Sequence, residues 1–519
     1  MLNTSPPTDC GDIDSWAGIT LNLTVTSNGT QYDRFGTFTF QNTEIWRTST
    51  PEPTAGGIYW TYTKDVTRYT PLFKENGTFM FEIQNIVNQQ YDGEYAATVY
   101  ATFYAASSQY PTAGQSNIIV PISTMSNKSS DDASVPPQFS RNVTLPKNTV
   151  EIYAELYASG NGDEEFWYTS IANKYLKNVS SDATYGNGPF RELRLLVDDK
   201  VAGVALPYAT IFTGGINPSL WQPITSYGAL DLPTYFLDLT PFVPVFADGL
   251  PHKVSLDVVS AESDHKINSN WYVSGLLQVV TDPSGKPTTG NMTAYDVQPY
   301  AVAHTNGSVG GKDVNVTVSA TRSLKIESTI VSGSGNTTSV VWEQNFEFEN
   351  QQWYLDGANT QNILQNAQGT MQSTHNGKII VSDSFQYPLA INMTYPSGSF
   401  YTIIDHSYDR QVSPAPFILG SSIQERQIAC TQLVVMPFPG EYNSLNVTNQ
   451  NTFAYNDTSG NTYYRNVTAS HLNVTQDQQG GSLASNALLM GFDGAPSAVQ
   501  KMPLPRLKYA QAKLAGSGA

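Results

Sequence analysis

The sequence contains few charged residues, and most of those are acidic. Charged residues make up 14% of the 519, and 44 Asp and Glu against 27 Lys and Arg give a net charge of −17. Nucleic-acid phosphates and anionic lipid headgroups bind to surfaces rich in Lys and Arg. The sequence also has no apolar run of ~18 residues, the length needed to span a bilayer. We therefore expect neither nucleic acid nor a membrane as a partner.

Cysteine and histidine are scarce, which limits metal and redox chemistry. Cys10 and Cys430 can form one disulfide or remain two free thiols. The six histidines are scattered, and none forms a His-x-His or His-x-x-x-His pair. Zinc and copper sites are built from such clusters. We therefore expect no metal ion and no cofactor.

Sequons of the form Asn-x-Ser/Thr, the acceptor sequence for N-glycosylation, are abundant. Sixteen occur, and no basic segment followed by an apolar one precedes the first of them at Asn3. This density predicts a secreted, extracellular protein in its mature form, which we expect to be a monomer. The other expected glycosylation sites are Asn22, Asn28, Asn76, Asn127, Asn142, Asn178, Asn291, Asn306, Asn315, Asn336, Asn392, Asn446, Asn456, Asn466 and Asn473.

Composition and periodicity predict an all-β fold. The chain has 30 Tyr, 39 Gly and 30 Pro, which favour strands and turns, and Ile19–Val25 alternates strictly between apolar and polar residues. At this length one core is not enough. We predict two jelly-roll β-sandwich modules side by side, at 12–122 and 138–282, joined by a Ser-, Asp- and Pro-rich linker at 123–137. A C-terminal β-rich region at 283–519 has short predicted strands such as Val314–Ser319.

Two motifs combine carboxylates with large aromatic residues. The first runs from Gln31 to Gly36 and continues through Glu44–Pro53, and the second is Asn161–Tyr168. Aromatic rings can stack on sugars, and a carboxylate held against apolar surface is a candidate acid–base group. The alternatives are a surface ion pair for Asp33 and Arg34, and a solvated acidic loop for the second motif.

We take Asp33 and Glu165 as the candidate catalytic residues, and expect their carboxylates to converge across one cleft. We expect Glu164 to point to the other face of an extended segment, so that Glu164→Gln costs little. The candidate substrate-binding residues are Arg34, Tyr32, Trp46, Trp60, Glu164, Trp167 and Trp221.

These residues resemble the acid peptide:N-glycanase family of fungi and plants, the peptide-N4-(N-acetyl-β-glucosaminyl)asparagine amidases A. The resemblance covers about residues 15–280. It is carried by Gln31–Glu52, Trp60, Asp65–Tyr69, Glu164–Tyr168, Phe190–Glu192, Phe212–Pro218, Trp221–Pro223 and Asp238–Phe242.

A fainter resemblance is to the bacterial flavobacterial-type peptide:N-glycosidase, which has two jelly rolls and an active site between them. Its Trp-Asp-Arg-Tyr motif is similar to residues 32–35, which implies the main catalytic role for Asp33 and substrate binding for Arg34. Its second-module glutamate is in register with Glu165. The equivalent of a further bacterial glutamate, near Glu82, is not identifiable, and the arginine that would come directly after the Trp-x-Pro at 221–223 is replaced by Ile224 and Thr225.

The resemblance implies hydrolysis of the amide between the innermost N-acetylglucosamine of an N-glycan and its asparagine. The substrates would be N-glycosylated peptides and glycoproteins, and the optimum would be acidic. Asp33 would act as the acid–base group, while Glu165 would orient water or the amide. Two alternatives stay open: a secreted glycan-binding protein of the lectin type, and a glycosidase, which also uses two carboxylates.

Overall fold

The computed structural model describes residues 1–484, except 14, 55, 127, 397–398 and 436–441. The all-β prediction is confirmed, because the described residues form five antiparallel sheets joined by turns and short helices. None of these helices is long and apolar enough to cross a membrane. The α-helical segments are α1 (Thr70–Phe73) and α2 (Val243–Phe246), and the 3-10 segments are Thr67–Tyr69, Gly162–Glu164, Trp167–Thr169, Leu176–Asn178, Pro218–Trp221 and Thr240–Phe242.

Two sheets near the N-terminus enclose one core. Their strands are β1 (Leu2–Thr4), β2 (Trp16–Ser27), β3 (Phe35–Phe40), β4 (Thr43–Ser49), β5 (Ile58–Asp65), β6 (Gly77–Ile83) and β7 (Ala96–Ala105). The strand orders are β1-β6-β3-β4 and β5-β2-β7. The apolar positions of β2, from Ile19 to Val25, cluster with Phe38 and Trp46 of the other sheet. The alternation in β2 therefore reflects one buried face, as the sequence predicts; the jelly-roll connections stay a prediction.

Two further sheets form the next module. Their strands are β8 (Ile118–Ile122), β9 (Ala133–Val135), β10 (Phe139–Val143), β11 (Thr149–Asn161), β12 (Glu192–Val197), β13 (Lys200–Ala205), β14 (Tyr235–Asp238), β15 (His252–Val259) and β16 (Asn270–Thr281). The strand orders are β10-β15-β12-β13 and β14-β11-β16-β8, with β9 also on β16. Every residue of β12 is buried, which shows that both faces of its sheet are covered.

Strand β16 connects the two modules. It pairs with β8 and with β9, which lies in the predicted linker. Ile119 of β8 and Leu276 of β16 belong to the core cluster of the first two sheets. The first module therefore packs against this sheet rather than being tethered by a loose segment. The predicted domain boundaries remain predictions.

The C-terminal region forms an eleven-stranded sheet whose strands from β19 onward pair in chain order. The strands are longer than the sequence suggested: Val314–Ser319 is only the start of a 19-residue strand. They are β17 (Thr289–Val297), β18 (Val302–Gly310), β19 (Asp313–Val331), β20 (Thr337–Leu355), β21 (Thr360–His375), β22 (Lys378–Thr394), β23 (Ser399–Val412), β24 (Ser421–Val435), β25 (Tyr442–Asp457), β26 (Thr462–Ser470) and β27 (Asn473–Gly480).

One face of this sheet, which we call the inner face, packs on the second module. In β19 every second residue from Val314 to Ile330 is buried, and the apolar ones among them share a core cluster with Leu193 and Val204. Gln344 bonds both the N–H and the C=O of Val204, at 2.9 Å each. The residues between the buried ones project from the opposite face of the sheet, which we call the outer face and which is largely polar.

The described sequon asparagines are all at least partly accessible. Asn22, Asn392 and Asn466 are half-buried, and the others are exposed. Asn127 lies outside the described residues. Cys10 and Cys430 are both free thiols, which agrees with one of the two alternatives that the sequence left open.

Candidate active site

Asp33 and Glu52 are brought together by the strand pair β3–β4. The ladder ends where Phe35 faces Ser49, and two further bonds extend it. The Arg34 N–H donates to Thr50 Oγ1 at 2.8 Å, and the Thr50 N–H donates to the Arg34 C=O at 2.9 Å. Asp33, which precedes Arg34, and Glu52, which follows Thr50 by two residues, therefore lie at the same end of the sheet. Asp33 and Glu52 are 7% and 5% exposed.

Gly214 of the second module lies against both carboxylates. A Cβ atom placed on Gly214 would overlap Oε1 of Glu52 and lie 2.6 Å from Oδ1 of Asp33. The two oxygens are thus close enough for a single water to contact both. This is the place where two carboxylates of one module meet the backbone of the other, and it is where we locate the candidate active site.

The loop that carries Gly214 is tied to the strand end that carries Glu52. Thr213 Oγ1 donates to the Thr50 C=O at 2.5 Å, and Gln222 Nε2 donates to the Glu52 C=O at 2.9 Å. The Trp221 indole N–H donates to the Gly215 C=O at 2.8 Å. These bonds hold the Cα atom of Gly214, which carries no side chain, opposite the carboxylates of Asp33 and Glu52.

Tyr95 closes one side of the site. Its hydroxyl accepts from Thr50 Oγ1 at 3.0 Å and lies 3.0 Å from the Tyr32 C=O. Burial raises the pKa of the Tyr95 hydroxyl, and the nearby Asp33 and Glu52 charges raise it further. The hydroxyl therefore stays protonated at all working pH values. The half-buried Trp60 packs edge-on against the Tyr95 ring, so it lies next to the site.

Arg34 and Tyr32 form an accessible surface beside Asp33. Gln31 Oε1 accepts from Arg34 Nε at 2.9 Å, which orients the guanidinium over the rings of Tyr91 and Tyr32, 5.7 and 6.0 Å from their centroids. The two rings lie 4.9 Å apart. A cation beside two half-exposed tyrosines that pack together suits the binding of a sugar or a peptide.

Glu164 is part of the core, contrary to the sequence prediction. Residues 162–164 form a 3-10 turn rather than an extended segment, and Glu164 is fully buried. Arg191 binds both its oxygens at 2.6 Å, and Trp271 Nε1 donates to it at 2.7 Å. Burial would raise the pKa of Glu164, but Arg191 and these hydrogen bonds lower it. Glu164 therefore lies in a buried ion pair with Arg191, and its proposed contact with substrate stays a prediction.

Glu165 ends the same turn and is half-buried. Its N–H donates to the Gly162 C=O at 3.0 Å. Burial raises the pKa of the Tyr168 hydroxyl well above its ordinary value, and the Glu165 charge raises it further. The structure thus places Glu165 near Tyr168 and places Asp33 beside Glu52. The convergence of Asp33 and Glu165 across one cleft stays a prediction.

Three of the four candidate tryptophans lie in the interior. Trp46 is fully buried, stacks on Phe38 at 4.5 Å and donates to the Leu230 C=O. Trp167 and Trp221 are 4% and 2% exposed. Rings without exposed surface cannot stack on a sugar, and these three side chains belong to the hydrophobic cores of the two modules.

The sequence analysis did not assign Glu52, Tyr95 or Gly214. Glu52 stands between two prolines within the first motif, and this placement is the feature of the sequence that could have identified it as a site residue. Glu82, the region of the unassigned third glutamate, accepts from the Ser130 N–H at 2.5 Å and so contacts the predicted linker. Within the part of the chain that the structure describes, no group of three or more His, Cys, Asp and Glu side chains could hold a metal ion.

Comparison with known proteins gives consistent results. Residues 1–298 match the family described as peptide N-acetyl-β-D-glucosaminyl asparaginase amidase A, and residues 315–389 match the C-terminal domain described for PNGase A. The chain is 30% identical over 429 residues to peptide-N4-(N-acetyl-β-glucosaminyl)asparagine amidase A of Prunus dulcis. That alignment covers 78% of this chain and 69% of the almond protein.

Proposed function

The chain belongs to the peptide N-acetyl-β-D-glucosaminyl asparaginase amidase A family, and we propose that it hydrolyses the amide joining an N-glycan to asparagine at the Asp33–Glu52 site. Water adds to the side-chain carbonyl carbon, and the C–N bond breaks. The products are an aspartate in the peptide and a glycosylamine, which decays to ammonia and the free glycan. The substrates are N-glycosylated peptides and glycoproteins.

The observation that carries the proposal is the meeting of Asp33 and Glu52 at Gly214. Amide hydrolysis needs a group that takes a proton from water and a group that protonates the leaving nitrogen. Two adjacent carboxyl groups can divide these tasks. We assign the acid–base role to Asp33 and propose that Glu52 shares the proton transfer. Glu165 keeps its proposed role in orienting water or the amide.

The surface beside the carboxylates supports substrate binding. Arg34, Tyr32 and Trp60 are accessible and adjoin Asp33 or Tyr95. We propose that the tyrosine rings contact the sugar and that Arg34 binds peptide or glycan oxygens. The accessible sequon asparagines favour a secreted enzyme, and the carboxylates favour an acidic optimum.

The C-terminal sheet supports the same site from the inner face. Asn449 of β25 donates to the Leu220 and Ile224 carbonyls at 2.6 and 3.1 Å. Gln427 of β24 donates to the Thr225 C=O and accepts from the Tyr227 N–H, at 3.1 Å each. The two amides also bond each other at 3.0 Å. We propose that this amide clamp, Gln427 with Asn449, positions the loop that presents Gly214.

The test is mass spectrometry of one defined glycopeptide after incubation with the protein at acidic pH. The proposal expects release of the entire glycan and an aspartate at the former attachment site. A trimmed sugar on an intact asparagine would indicate a glycosidase, and an unchanged glycopeptide that binds would indicate a lectin. Either result would contradict the proposal.

A further inference from the structure

The outer face of the C-terminal sheet carries an apolar patch among polar residues. Leu355, Leu364 and Ile403 are 37%, 49% and 51% exposed. Together with the half-buried Trp353 they line a shallow depression of about 420 Å³. We call these four residues the outer patch. Single apolar residues on a surface are ordinary, whereas several apolar residues that line one depression with a polar rim are typical of an interaction surface.

Asn392 lies at the centre of the outer patch. In β22 it faces Asn362 of β21 and Ile403 of β23, and Asn362 in turn faces Trp353 of β20. Residues directly opposite each other in antiparallel strands project from the same face. The neighbouring Met393 is fully buried on the inner face. Asn392 therefore projects outward and itself lines the depression.

We propose that an N-glycan attached to Asn392 of this same chain covers the outer patch. Asn392-Met393-Thr394 is a sequon, and its Asn and Thr occupy alternate, outward positions of one strand. Pyranose rings have apolar C–H faces and a rim of hydroxyls, which suits aliphatic and aromatic side chains beside polar groups. The innermost N-acetylglucosamine lies on Ile403 and Leu364, and the next sugars extend toward Trp353. This inference depends on secretion, not on the catalytic assignment.

The local chemistry is compatible with attachment. A host glycosyltransferase joins Asn392 Nδ2 to C1 of the first sugar, Nδ2 loses one proton, and a lipid-linked diphosphate leaves. One N–H remains on Nδ2, so its hydrogen bond to Asn362 Oδ1 persists and orients the first sugar over the patch. Asp405, which adjoins the patch, is paired with Arg426 at 2.6 Å. The charges beside the outer patch therefore compensate each other, which suits the binding of a neutral sugar.

Position favours Asn392 over the nearest other sequon. Asn315 of β19 also faces Trp353, but strands β20 and β21 separate it from Asn392 and Ile403. A glycan on Asn315 would reach one end of the outer patch, whereas a glycan on Asn392 starts in its middle.

The experiment compares three variants made in a glycosylating eukaryotic host: Asn392→Gln, Asn315→Gln and Asn466→Gln. Asn466 is the matched control, because it is a half-buried sequon residue of the same sheet that lies in β26, away from the patch. Site occupancy is read by glycopeptide mass spectrometry. Exposure of the patch is read by the fluorescence of a dye that binds apolar surface and by hydrogen exchange of peptides covering β20–β23.

We expect Asn392 to be occupied and Asn392→Gln alone to increase dye binding severalfold, with amidase activity unchanged. An endoglycosidase that leaves one N-acetylglucosamine on the wild type should preserve most of the protection, because that sugar makes the proposed contact. An unoccupied Asn392 beside occupied sequons, or equal dye binding by Asn392→Gln and Asn466→Gln, would overturn the proposal. So would a larger effect of Asn315→Gln than of Asn392→Gln.

Discussion

Buried carboxylates occupy two kinds of surroundings in this protein. Glu44 binds Arg47 through both oxygens, at 2.6 and 2.7 Å, and Glu164 binds Arg191 in the same way. Asp33 and Glu52 instead abut the bare Cα of Gly214, beside a half-exposed tyrosine and arginine surface. All four are nearly inaccessible, so burial alone does not separate the arginine-paired carboxylates from those that we propose to be catalytic.

The difference lies in what each carboxylate faces. A bidentate arginine fixes the position of a carboxylate, which suits a contact between modules. Arg47 also donates to the Tyr272 C=O of β16 at 2.7 Å, so its pair with Glu44 joins the two modules. Asp33 and Glu52 instead lie against Gly214, whose lack of a side chain lets both carboxylates approach the second module closely. Four experiments test this comparison.

Asp33→Asn should have the largest effect on activity. It keeps the shape of the side chain but removes the group that transfers protons. Turnover should fall by at least ~10²–10⁴, while glycopeptide binding, measured by calorimetry, should stay largely intact. Glu52→Gln should also reduce turnover strongly.

The control for these variants is Glu82→Gln. Glu82 is a carboxylate of the same module whose observed contact is the Ser130 N–H, and we expect near-normal turnover. Full activity of Asp33→Asn would remove the proposed mechanism. Inactive Glu82→Gln with active Glu52→Gln would make Glu82 the second carboxylate.

Gly214→Ala should reduce turnover by about 10²-fold, because its new methyl group would displace both carboxylates. The fold should survive, which far-UV circular dichroism and the unfolding midpoint would show. Gly114→Ala is the control, since open space surrounds a Cβ at that position. If Gly214→Ala keeps wild-type turnover, Gly214 does not border the reacting groups.

Glu164→Gln should affect stability, and Glu165→Gln should affect turnover. Removing the Glu164 charge leaves Arg191 buried without compensation, at a cost of about 3–5 kcal/mol in the free energy of unfolding. Urea unfolding of both variants measures this difference. Equal stability of the two variants would show that the Glu164–Arg191 pair contributes no more than an ordinary surface contact.

Asn449→Ala should lower turnover up to about tenfold with little change in KM, because the loop carrying Gly214 loses its anchor. Two controls separate positioning from general destabilisation. Gln450→Ala changes an exposed neighbour in the same strand, and Gln352→Ala removes a buried amide that bonds the Ser170 C=O at 2.9 Å, in a different loop. Turnover reduced equally in Asn449→Ala and Gln352→Ala would leave the amide clamp with a structural role only.

The fold class follows from local properties of the chain. Strands such as β2 can be predicted from the strict alternation of apolar and polar residues, and turn residues mark the boundaries between strands. The length of the C-terminal strands was underestimated because their outward positions hold Asn, Gln, Ser and Thr, which resemble loops when read alone. In β19 the alternation between buried and accessible residues continues through these polar positions. Pairing with the neighbouring long strands stabilises the strand over its whole length.

The candidate site was only partly predictable. Asp33 and Arg34 stand in a recognisable motif, whereas the contact of Gly214 with Asp33 joins residues that are far apart in sequence. Trp46 and Glu164 look like binding residues in a one-dimensional motif. Strand β4 is buried along its whole length, so alternation could not assign Trp46 to an accessible face, and the partner of Glu164 lies beyond its own motif.

The amide clamp also constrains the order in which the enzyme matures. Asp33 and Glu52 leave the ribosome early, but the loop at Leu220–Tyr227 reaches its observed bonds only after Gln427 and Asn449 have been synthesised. At ~5–20 residues per second, the synthesis of Asn449 follows that of Glu52 by roughly 20–80 s. If the proposed site is correct, a nascent chain carries both carboxylates through most of its synthesis before the amide clamp can form.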